Sequence, residues 1–347
     1  MRSETPSIDR LLAGIRDRDR AVLGRALTLV ESNRWDDRER AQALLTRLLR
    51  ETGSAHRIGI SGVPGVGKST FIENLGCRLL AAGHRVAVLA VDPSSSVSKG
   101  SILGDKTRME KLATSEDAFV RPSPAGGSLG GVARKTRESM LVCEAAGYDV
   151  VIIETVGVGQ SETAVADMVD CFLVLMLAGA GDELQGIKRG ILELADVIAV
   201  NKADGANVAA AELARSELER AIELLRPTVE DGWQPRVVTT SGSSGAGLDE
   251  LWATIEAHRV QLAESGELDR RRSRQLLSWL WSLVDEGLRR AVREHPRVAA
   301  SLRGLEADVL EGRTTPTAAA ERILEALVGG MGRVKGEDAE EVKGLGS

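Results

Sequence analysis

The stretch "GVPGVGKST", which runs from Gly62 to Thr70, limits the possible fold more than any other part of the sequence. It matches the pattern Gly-x-x-x-x-Gly-Lys-Ser/Thr, in which a strand leads into a glycine-rich loop that opens a helix. The apolar run "RIGIS" precedes it and the helical pattern "TFIENLGCRLLAAG" follows it. Glycine allows backbone amides to turn inward, and the helix N-terminus adds a positive dipole. The sequence therefore predicts a loop that encloses phosphate groups.

Two side chains of this loop have separate predicted roles. We expect Lys68 to reach the β- and γ-phosphates, where it is also a candidate catalytic residue, and Ser69 to ligate Mg²⁺. The predicted nucleotide-binding residues of the loop are Gly62, Val63, Pro64, Gly65, Val66, Gly67, Lys68, Ser69 and Thr70.

Short apolar runs that alternate with helical patterns predict the rest of the fold. Such runs are typical of a mainly parallel sheet with helices on both faces, so the fold class is α/β, a P-loop NTPase. Ligands of these sheets gather at the carboxyl ends of the strands. The predicted strands are "HRIGISG", "RVAVLAVD", "AFVRPS", "DVVIIETVG", "CFLVLMLAG", "VIAVNKAD" and "RVVTTSG".

The helical patterns outside the sheet predict four regions. Residues 1–55 form an extension of two or three amphipathic helices, and residues 56–262 form the P-loop domain. Residues 263–330 form a helical arm, and we expect residues 331–347 to be disordered. The arm has one long helix in "DRRRSRQLLSWLWSLVDEGLRRAVREH" and a second in "TTPTAAAERILEALV", where Thr315 caps the helix and Pro316 takes its first position.

The motif "NKAD" at the end of a predicted strand indicates guanine recognition. The Asp204 carboxylate can accept from both N1–H and the 2-amine of guanine, whereas adenine would present a lone pair to it. Lys202 can lay its aliphatic stem across the base, and Asn201 can connect the base to the phosphate loop. The next strand ends in "TTSGSSGAG", where the backbone amides of Ser241 and Gly242 are candidates for contact with guanine O6.

Acidic residues near strand ends predict a magnesium environment beside the phosphates. Asp92, Asp105 and Glu154, together with Ser69, are the candidate metal ligands, and the three acids are also candidate catalytic residues. Small GTPases usually have Asp-x-x-Gly where this chain has "ETVG", so whether Glu154 contacts the metal directly stays open. Asp92 or Asp105 could position the attacking water, with Gln160 as a weaker candidate, and Asp92 has a helix cap as its alternative role.

Composition excludes some classes of function. Forty-five Lys and Arg against 51 Asp and Glu give a net charge of −6, which argues against broad nucleic-acid binding. The apolar runs fall short of the ~20 residues that a membrane span needs, and the first residues lack a secretory signal. Three dispersed cysteines fit a reducing compartment. We expect a cytoplasmic protein with no nucleic-acid or membrane partner.

The combination of "GVPGVGKST", "VDPSSS", "GDKTRM", "ETVGVGQSE", "AGAGDELQGIKRGILELAD" and "NKAD" resembles the MeaB-type, or ArgK-like, G-protein chaperones of adenosylcobalamin-dependent methylmalonyl-CoA mutase. The resemblance covers about residues 1–330. It implies GTP and GDP as ligands with Mg²⁺, a homodimer joined through C-terminal helices, and binding to the mutase. It also implies that the chain gates adenosylcobalamin loading and protects the mutase from inactivation.

In that family the segment "AGAGDELQGIKRGILELAD" is a mobile extra switch, which explains a charged, glycine-hinged insertion between two core strands. Within this segment the candidate switch residues are Asp182, Glu183, Gln185 and Lys188, and we hypothesise that Lys188 couples partner binding to hydrolysis. A solvated loop with a helix cap is the alternative.

Other functions stay open from the residues alone. They are a metallochaperone-type GTPase for another enzyme, a transport-associated P-loop kinase or ATPase, and a noncatalytic interaction module. The histidines are scattered, with no metal-binding tract, and Asp204 opposes adenine. Because no arginine finger is evident, we expect GTP hydrolysis to be slow alone and to be stimulated by a partner. Trp279, Leu280 and Leu283 are candidates for a dimer interface, with packing within one protomer as the alternative.

Overall fold

The computed structural model describes residues 6–91, 109–122, 129–155, 161–178, 189–225 and 232–328. The chain divides into two compact units, Met1–Leu276 and Leu277–Ser347. The four regions predicted from the sequence have other boundaries and stay a prediction.

The first unit contains a parallel sheet. Its strands are β1 (His56–Gly62), β2 (Val86–Val91), β3 (Ala118–Arg121), β4 (Val150–Thr155), β5 (Cys171–Leu177), β6 (Val197–Asn201) and β7 (Arg236–Thr239). They lie in the order β3-β2-β4-β1-β5-β6-β7, and each neighbouring pair is parallel. The predicted strands and the predicted fold class are confirmed.

Along the chain, helices precede, alternate with and follow the strands. Those before β4 are α1 (Ile8–Arg16), α2 (Arg20–Val30), α3 (Trp35–Leu48), α4 (Lys68–Ala81), α5 (Glu110–Thr114) and α6 (Leu129–Ala145). Those after it are α7 (Ser161–Ala166), α8 (Arg189–Leu194), α9 (Val208–Leu225), α10 (Leu248–Glu264), α11 (Glu267–Glu294), α12 (Pro296–Leu310) and α13 (Pro316–Val328).

Side chains on both faces of the sheet are buried, as the near-continuous apolar sequences of the strands require. In β2, Val86 and Val88 point into the core that contains α4, α5 and α10, whereas Ala87 and Leu89 point into the core that contains α1, α2, α3 and α6. Strict alternation along each strand therefore divides the apolar residues between two layers of helices.

The N-terminal helices belong to the second of these layers. Asp19 caps α2 by accepting from the backbone amides of Ala21 at 2.8 Å and Val22 at 3.1 Å. The apolar faces of α1 and α2 bury Leu12 and Leu27 in the same core as strand residues of the sheet. The predicted extension of two or three helices is thus a set of three that completes one face of the sheet.

The helical region after the sheet differs from the prediction in one respect. The sequence analysis predicts two helices after about residue 262, whereas the described residues 263–328 contain three, of which α12 was not predicted. Pro296 occupies the first turn of α12, where a missing amide costs nothing, and Val298 is fully buried. Thr315 accepts from the Ala318 amide at 3.2 Å, so the predicted cap of α13 is confirmed.

Ion pairs attach the start of α11 to the amino end of the sheet. Arg271 donates to both carboxylate oxygens of Asp196, at 2.9 and 3.0 Å, and Arg272 donates to both oxygens of Asp170, at 2.6 and 2.8 Å. Asp170 precedes β5 and Asp196 precedes β6.

Among the described helices, none combines the length and the apolar composition needed to cross a membrane.

Candidate nucleotide-binding site

The glycine-rich loop connects β1 to α4 at the carboxyl edge of the sheet. Gly65 and Gly67 have positive φ angles of 78° and 90°, which glycine adopts without strain. A Cβ atom on Gly62 would lie 2.6 Å from the Leu175 carbonyl oxygen, so only glycine fits where β1 meets β5. The predicted strand, loop and helix are therefore present, with α4 beginning at Lys68.

The Lys68 side chain lies along this loop. Its Nζ donates to the Gly62 carbonyl at 2.8 Å. Burial lowers the pKa of the Lys68 ammonium, whereas the charges of Glu154 and Glu162 raise it. Glu162 is buried at the start of α7, and the sequence analysis missed it, although the stretch "GVGQSE" contains it. A partly desolvated cation beside this loop is suited to phosphate oxygens.

Ser69 and Glu154 supply oxygen atoms next to Lys68. The Ser69 hydroxyl lies 3.5 Å from Glu154 Oε1, and Glu154 is buried at the end of β4. A hydroxyl and a carboxylate fit the preference of Mg²⁺ for oxygen ligands. Within the described ranges no group of three or more His, Cys, Asp and Glu side chains could hold a metal. The other two predicted ligands, Asp92 and Asp105, lie outside the described residues.

The motif at the end of β6 is tied to the phosphate loop. Asn201 Nδ2 donates to the Val66 carbonyl at 2.8 Å, and Lys202 Nζ donates to the Gly65 carbonyl at 2.9 Å. Lys202 itself has a φ of 60°, which is uncommon for a residue with a side chain. The structure thus brings the predicted base site and phosphate site together, with Lys202 extended from one to the other.

Two hydroxyls hold the Asp204 carboxylate. Ser241 Oγ donates to Asp204 Oδ2, and Ser243 Oγ donates to the same oxygen at 2.8 Å. These hydrogen bonds, that from Ser241 first, lower the pKa of Asp204. Asp204 is therefore an ionised acceptor at neutral pH. Ser243 was not predicted, although "TTSGSSGAG" contains it, because the sequence does not show which serine turns toward Asp204.

The backbone amides of Ser241 and Gly242 have acceptors within the protein. Ser241 donates to the Ala246 carbonyl at 2.9 Å, and Gly242 donates to Asn201 Oδ1 at 2.8 Å. Their predicted contact with guanine O6 stays a prediction, and it requires each amide to share or leave its present acceptor. In the structure these two residues position Asn201 and Asp204.

Several predicted residues lie outside the described part of the chain. They are Asp92, Asp105, Gln160, Asp182, Glu183, Gln185 and Lys188.

A phosphate loop joined to an Asn-Lys-x-Asp motif at the carboxyl edge of a parallel sheet defines a P-loop GTPase. The family model described as "Methylmalonyl Co-A mutase-associated GTPase MeaB" matches residues 23–297. The chain belongs to this MeaB family, and the resemblance noted from its motifs is confirmed.

Similar proteins agree with this assignment. A protein of Caulobacter vibrioides is 57% identical over 91% of this chain and 95% of its own length. The "Methylmalonic aciduria type A homolog, mitochondrial" of Mus musculus is 46% identical over 92% of this chain and 79% of its own length. The crystal structure titled "LAO/AO transport system kinase" has a TM-score of 0.74 and 38% identity, over 92% of this chain and 96% of that one.

Proposed function

We propose that the chain binds GTP and GDP with Mg²⁺ and hydrolyses GTP slowly on its own. The observation that carries the proposal is the ionised Asp204 carboxylate, which the Ser241 and Ser243 hydroxyls hold in place beside a phosphate loop. An ionised acceptor at this place suits the N1–H and 2-amine of guanine and repels adenine N1. Lys202, which lies two residues before Asp204, donates to the Gly65 carbonyl of the loop. This contact fixes the distance between the proposed base site and the proposed phosphate site.

The site residues have distinct roles in this proposal. Backbone amides between Gly62 and Thr70, other than that of Pro64, which has no N–H, hold the phosphates, and Lys68 exchanges the Gly62 carbonyl for phosphate oxygens as charge develops on them. Ser69 and Glu154, with Asp92 and Asp105, would hold Mg²⁺, which neutralises phosphate charge when bound. Asp92 or Asp105 positions the attacking water, with Gln160 as the other candidate.

The proposed biological role is that of a chaperone for methylmalonyl-CoA mutase. The chain would bind the mutase, gate the loading of adenosylcobalamin and protect the enzyme from inactivation. The description of the matching family model and the name of the mouse relative support this role. The switch residues Asp182, Glu183, Gln185 and Lys188 would transmit loss of the γ-phosphate to the mutase.

We propose that the protein works as a cytoplasmic homodimer that joins through residues 263–330. Support comes from an apolar stripe on α11, where Leu280 and Trp281 are 52% and 65% exposed. Residues 1–55 would serve as the helical extension and residues 56–262 as the GTPase domain.

The experiment that tests this function is GTP turnover with and without methylmalonyl-CoA mutase. We expect the mutase to raise the turnover number by at least about tenfold, since a completed phosphate site can supply far more. Lys188→Ala should keep GTP affinity and lose the stimulation, whereas Lys111→Ala, which changes an exposed lysine of α5, should keep both. Unchanged turnover and the absence of a complex with the mutase would overturn the proposed role.

A further inference from the structure

One face of α4 packs against the chain that follows β7. Within that chain we name residues 241–245 the base loop. Phe71, Asn74 and Arg78 recur in α4 at intervals of three and four residues, so they share one face of the helix. Arg78 donates to both carboxylate oxygens of Asp249, at 2.5 and 2.6 Å, in the first turn of α10, just beyond the base loop. This face of α4 therefore borders the base loop.

The Asn74 side chain donates a hydrogen bond to the base loop. Its Nδ2 atom lies 2.7 Å from the Gly242 carbonyl oxygen and 3.2 Å from that of Thr70, one turn earlier in α4. A side-chain amide nitrogen has two hydrogens, so both bonds form at once. The bond to Thr70 orients the side chain on its own helix, and the bond to Gly242 connects that helix to the base loop.

Gly242 is held from two sides. Its carbonyl accepts from Asn74, and its amide donates to Asn201 Oδ1 at 2.8 Å. A Cβ atom on Gly242 would lie 3.1 Å from Phe71 Cα, so the base loop packs directly against the backbone of α4. Asn74 therefore helps to fix the base loop on α4, the helix that begins at Lys68.

The residues on either side of Gly242 hold the Asp204 carboxylate. Ser241 and Ser243 each donate from their hydroxyls to Asp204 Oδ2. A shift of Gly242 would carry these two hydroxyls with it, because each is only one residue away along the chain. The orientation of the Asp204 carboxylate therefore depends on how Gly242 is held against α4.

We propose that Asn74 is a positioning residue for guanine recognition, which holds the Gly242 carbonyl so that Ser241 and Ser243 align Asp204 with the base. The inference rests on the proposed function, in which Asp204 accepts from both N1–H and the 2-amine of guanine. Two parallel hydrogen bonds require one orientation of the carboxylate, whereas a single bond tolerates rotation. The effect of Asn74 should therefore depend on whether the base has a 2-amine.

The test compares GTP with inosine triphosphate, which lacks the 2-amine of guanine but has the same N1–H, sugar and phosphates. Both affinities are measured by calorimetry with Mg²⁺ on the full chain. Because the phosphate contacts are common to the two nucleotides, the ratio of the affinities reports the alignment of Asp204. We expect the wild-type protein to bind GTP about tenfold more tightly, as one hydrogen bond to a charged acceptor supplies.

Asn74→Leu and Asn74→Asp both remove the donor at nearly constant side-chain size. Each should weaken GTP more than inosine triphosphate, so that the affinity ratio falls by about threefold or more. Glu73→Leu is the control on the same helix. It removes the carboxylate that accepts from the Lys111 amide of α5 at 2.8 Å, away from the base loop, and should keep the wild-type ratio. A purely structural role of Asn74 would weaken both nucleotides equally and would also keep the ratio.

An affinity ratio that stays at the wild-type value in both Asn74 variants would overturn this inference and leave the proposed function in place. Wild-type protein that binds GTP, inosine triphosphate and ATP equally well would overturn the proposed function and this inference with it. If Asn74→Leu does not fold, Asn74→Asp decides by its affinity ratio.

Discussion

Carboxylates lie at both the amino and the carboxyl end of the sheet, but they have different hydrogen-bond partners at the two ends. At the amino end, Asp170 and Asp196 each receive two hydrogen bonds from one arginine of α11. At the carboxyl end, Asp204 is held by serine hydroxyls, and Glu154 has the Ser69 hydroxyl at 3.5 Å. Arginine neutralises a carboxylate, whereas a hydroxyl orients it and leaves its charge.

This difference separates structural acids from binding acids. A carboxylate already neutralised by a bidentate arginine has little left for a ligand, so the amino end stabilises the fold and anchors α11. A carboxylate oriented by hydroxyls keeps its charge for a base or a cation. If this contrast holds, substitutions at the amino end should change stability, whereas substitutions at the carboxyl end should change nucleotide binding.

Arg271→Met should lower the free energy of unfolding by about 3–5 kcal/mol, because it leaves Asp196 buried without its bidentate partner. Urea unfolding of the nucleotide-free protein measures this loss. Arg270→Met is the matched control, since the neighbouring arginine pairs with Glu267 and is 61% exposed, so it should change stability by less than about 1 kcal/mol. Equal effects of the two variants would contradict a structural role for the amino end.

Asp204→Asn should weaken GTP by about 100-fold or more, because it replaces a charged acceptor of two hydrogen bonds. The same variant should bind xanthosine triphosphate more tightly than the wild type does, since the asparagine amide can donate to the carbonyl that xanthine has at C2. Calorimetric titration with GTP and with xanthosine triphosphate measures this change of base specificity.

Asp249→Asn makes the same chemical change at an exposed carboxylate paired with Arg78 and should leave both affinities unchanged. If Asp204→Asn kept its GTP affinity, Asp204 would not be the base-reading residue.

His56 predicts a pH dependence of stability at the amino end. Burial, followed by the charge of Arg259, lowers the pKa of its imidazole to about 4. In the unfolded chain the pKa is about 6.5, so between these values the unfolded state binds more protons and stability falls as the pH falls. The slope from this group is at most about 1.4 kcal/mol per pH unit.

His56→Gln should reduce that slope in urea unfolding measured from pH 7 to pH 4. His84→Gln changes the other histidine that contacts the Trp252 ring and removes only a smaller influence on the His56 pKa, so most of the His56 contribution should stay. A slope that His56→Gln does not alter would assign the acid sensitivity to other groups.

Ser243→Ala should have the smallest effect. It removes one of the hydroxyls that lower the pKa of Asp204, so that pKa should rise. The loss of GTP affinity on acidification should then begin at a higher pH, with a change of only a few-fold at neutral pH. Ser244→Ala removes a hydroxyl that caps the Ala246 amide instead and should not move the pH profile. Identical profiles for both variants would exclude Ser243 from tuning Asp204.

Local patterns predicted the fold and the ligand-binding motifs because those features depend on neighbouring residues. The strands are short apolar runs, and the phosphate loop is one continuous segment. The pairs that attach α11 could not be predicted, because Arg271 and Asp196 are distant in sequence and nothing local connects them. Ser243 and Glu162 were missed for the same reason. Helix α12 was missed although Val298, Leu302, Leu305 and Val309 recur at helical spacing, so its signal was present in the sequence.

We propose that the carboxyl end of the sheet recognises guanine through Asp204. The decisive measurement is calorimetric titration of the wild-type protein with GTP and with ATP, each with Mg²⁺. We predict that GTP binds at least about 100-fold more tightly than ATP. Equal affinity for the two nucleotides would contradict the claim.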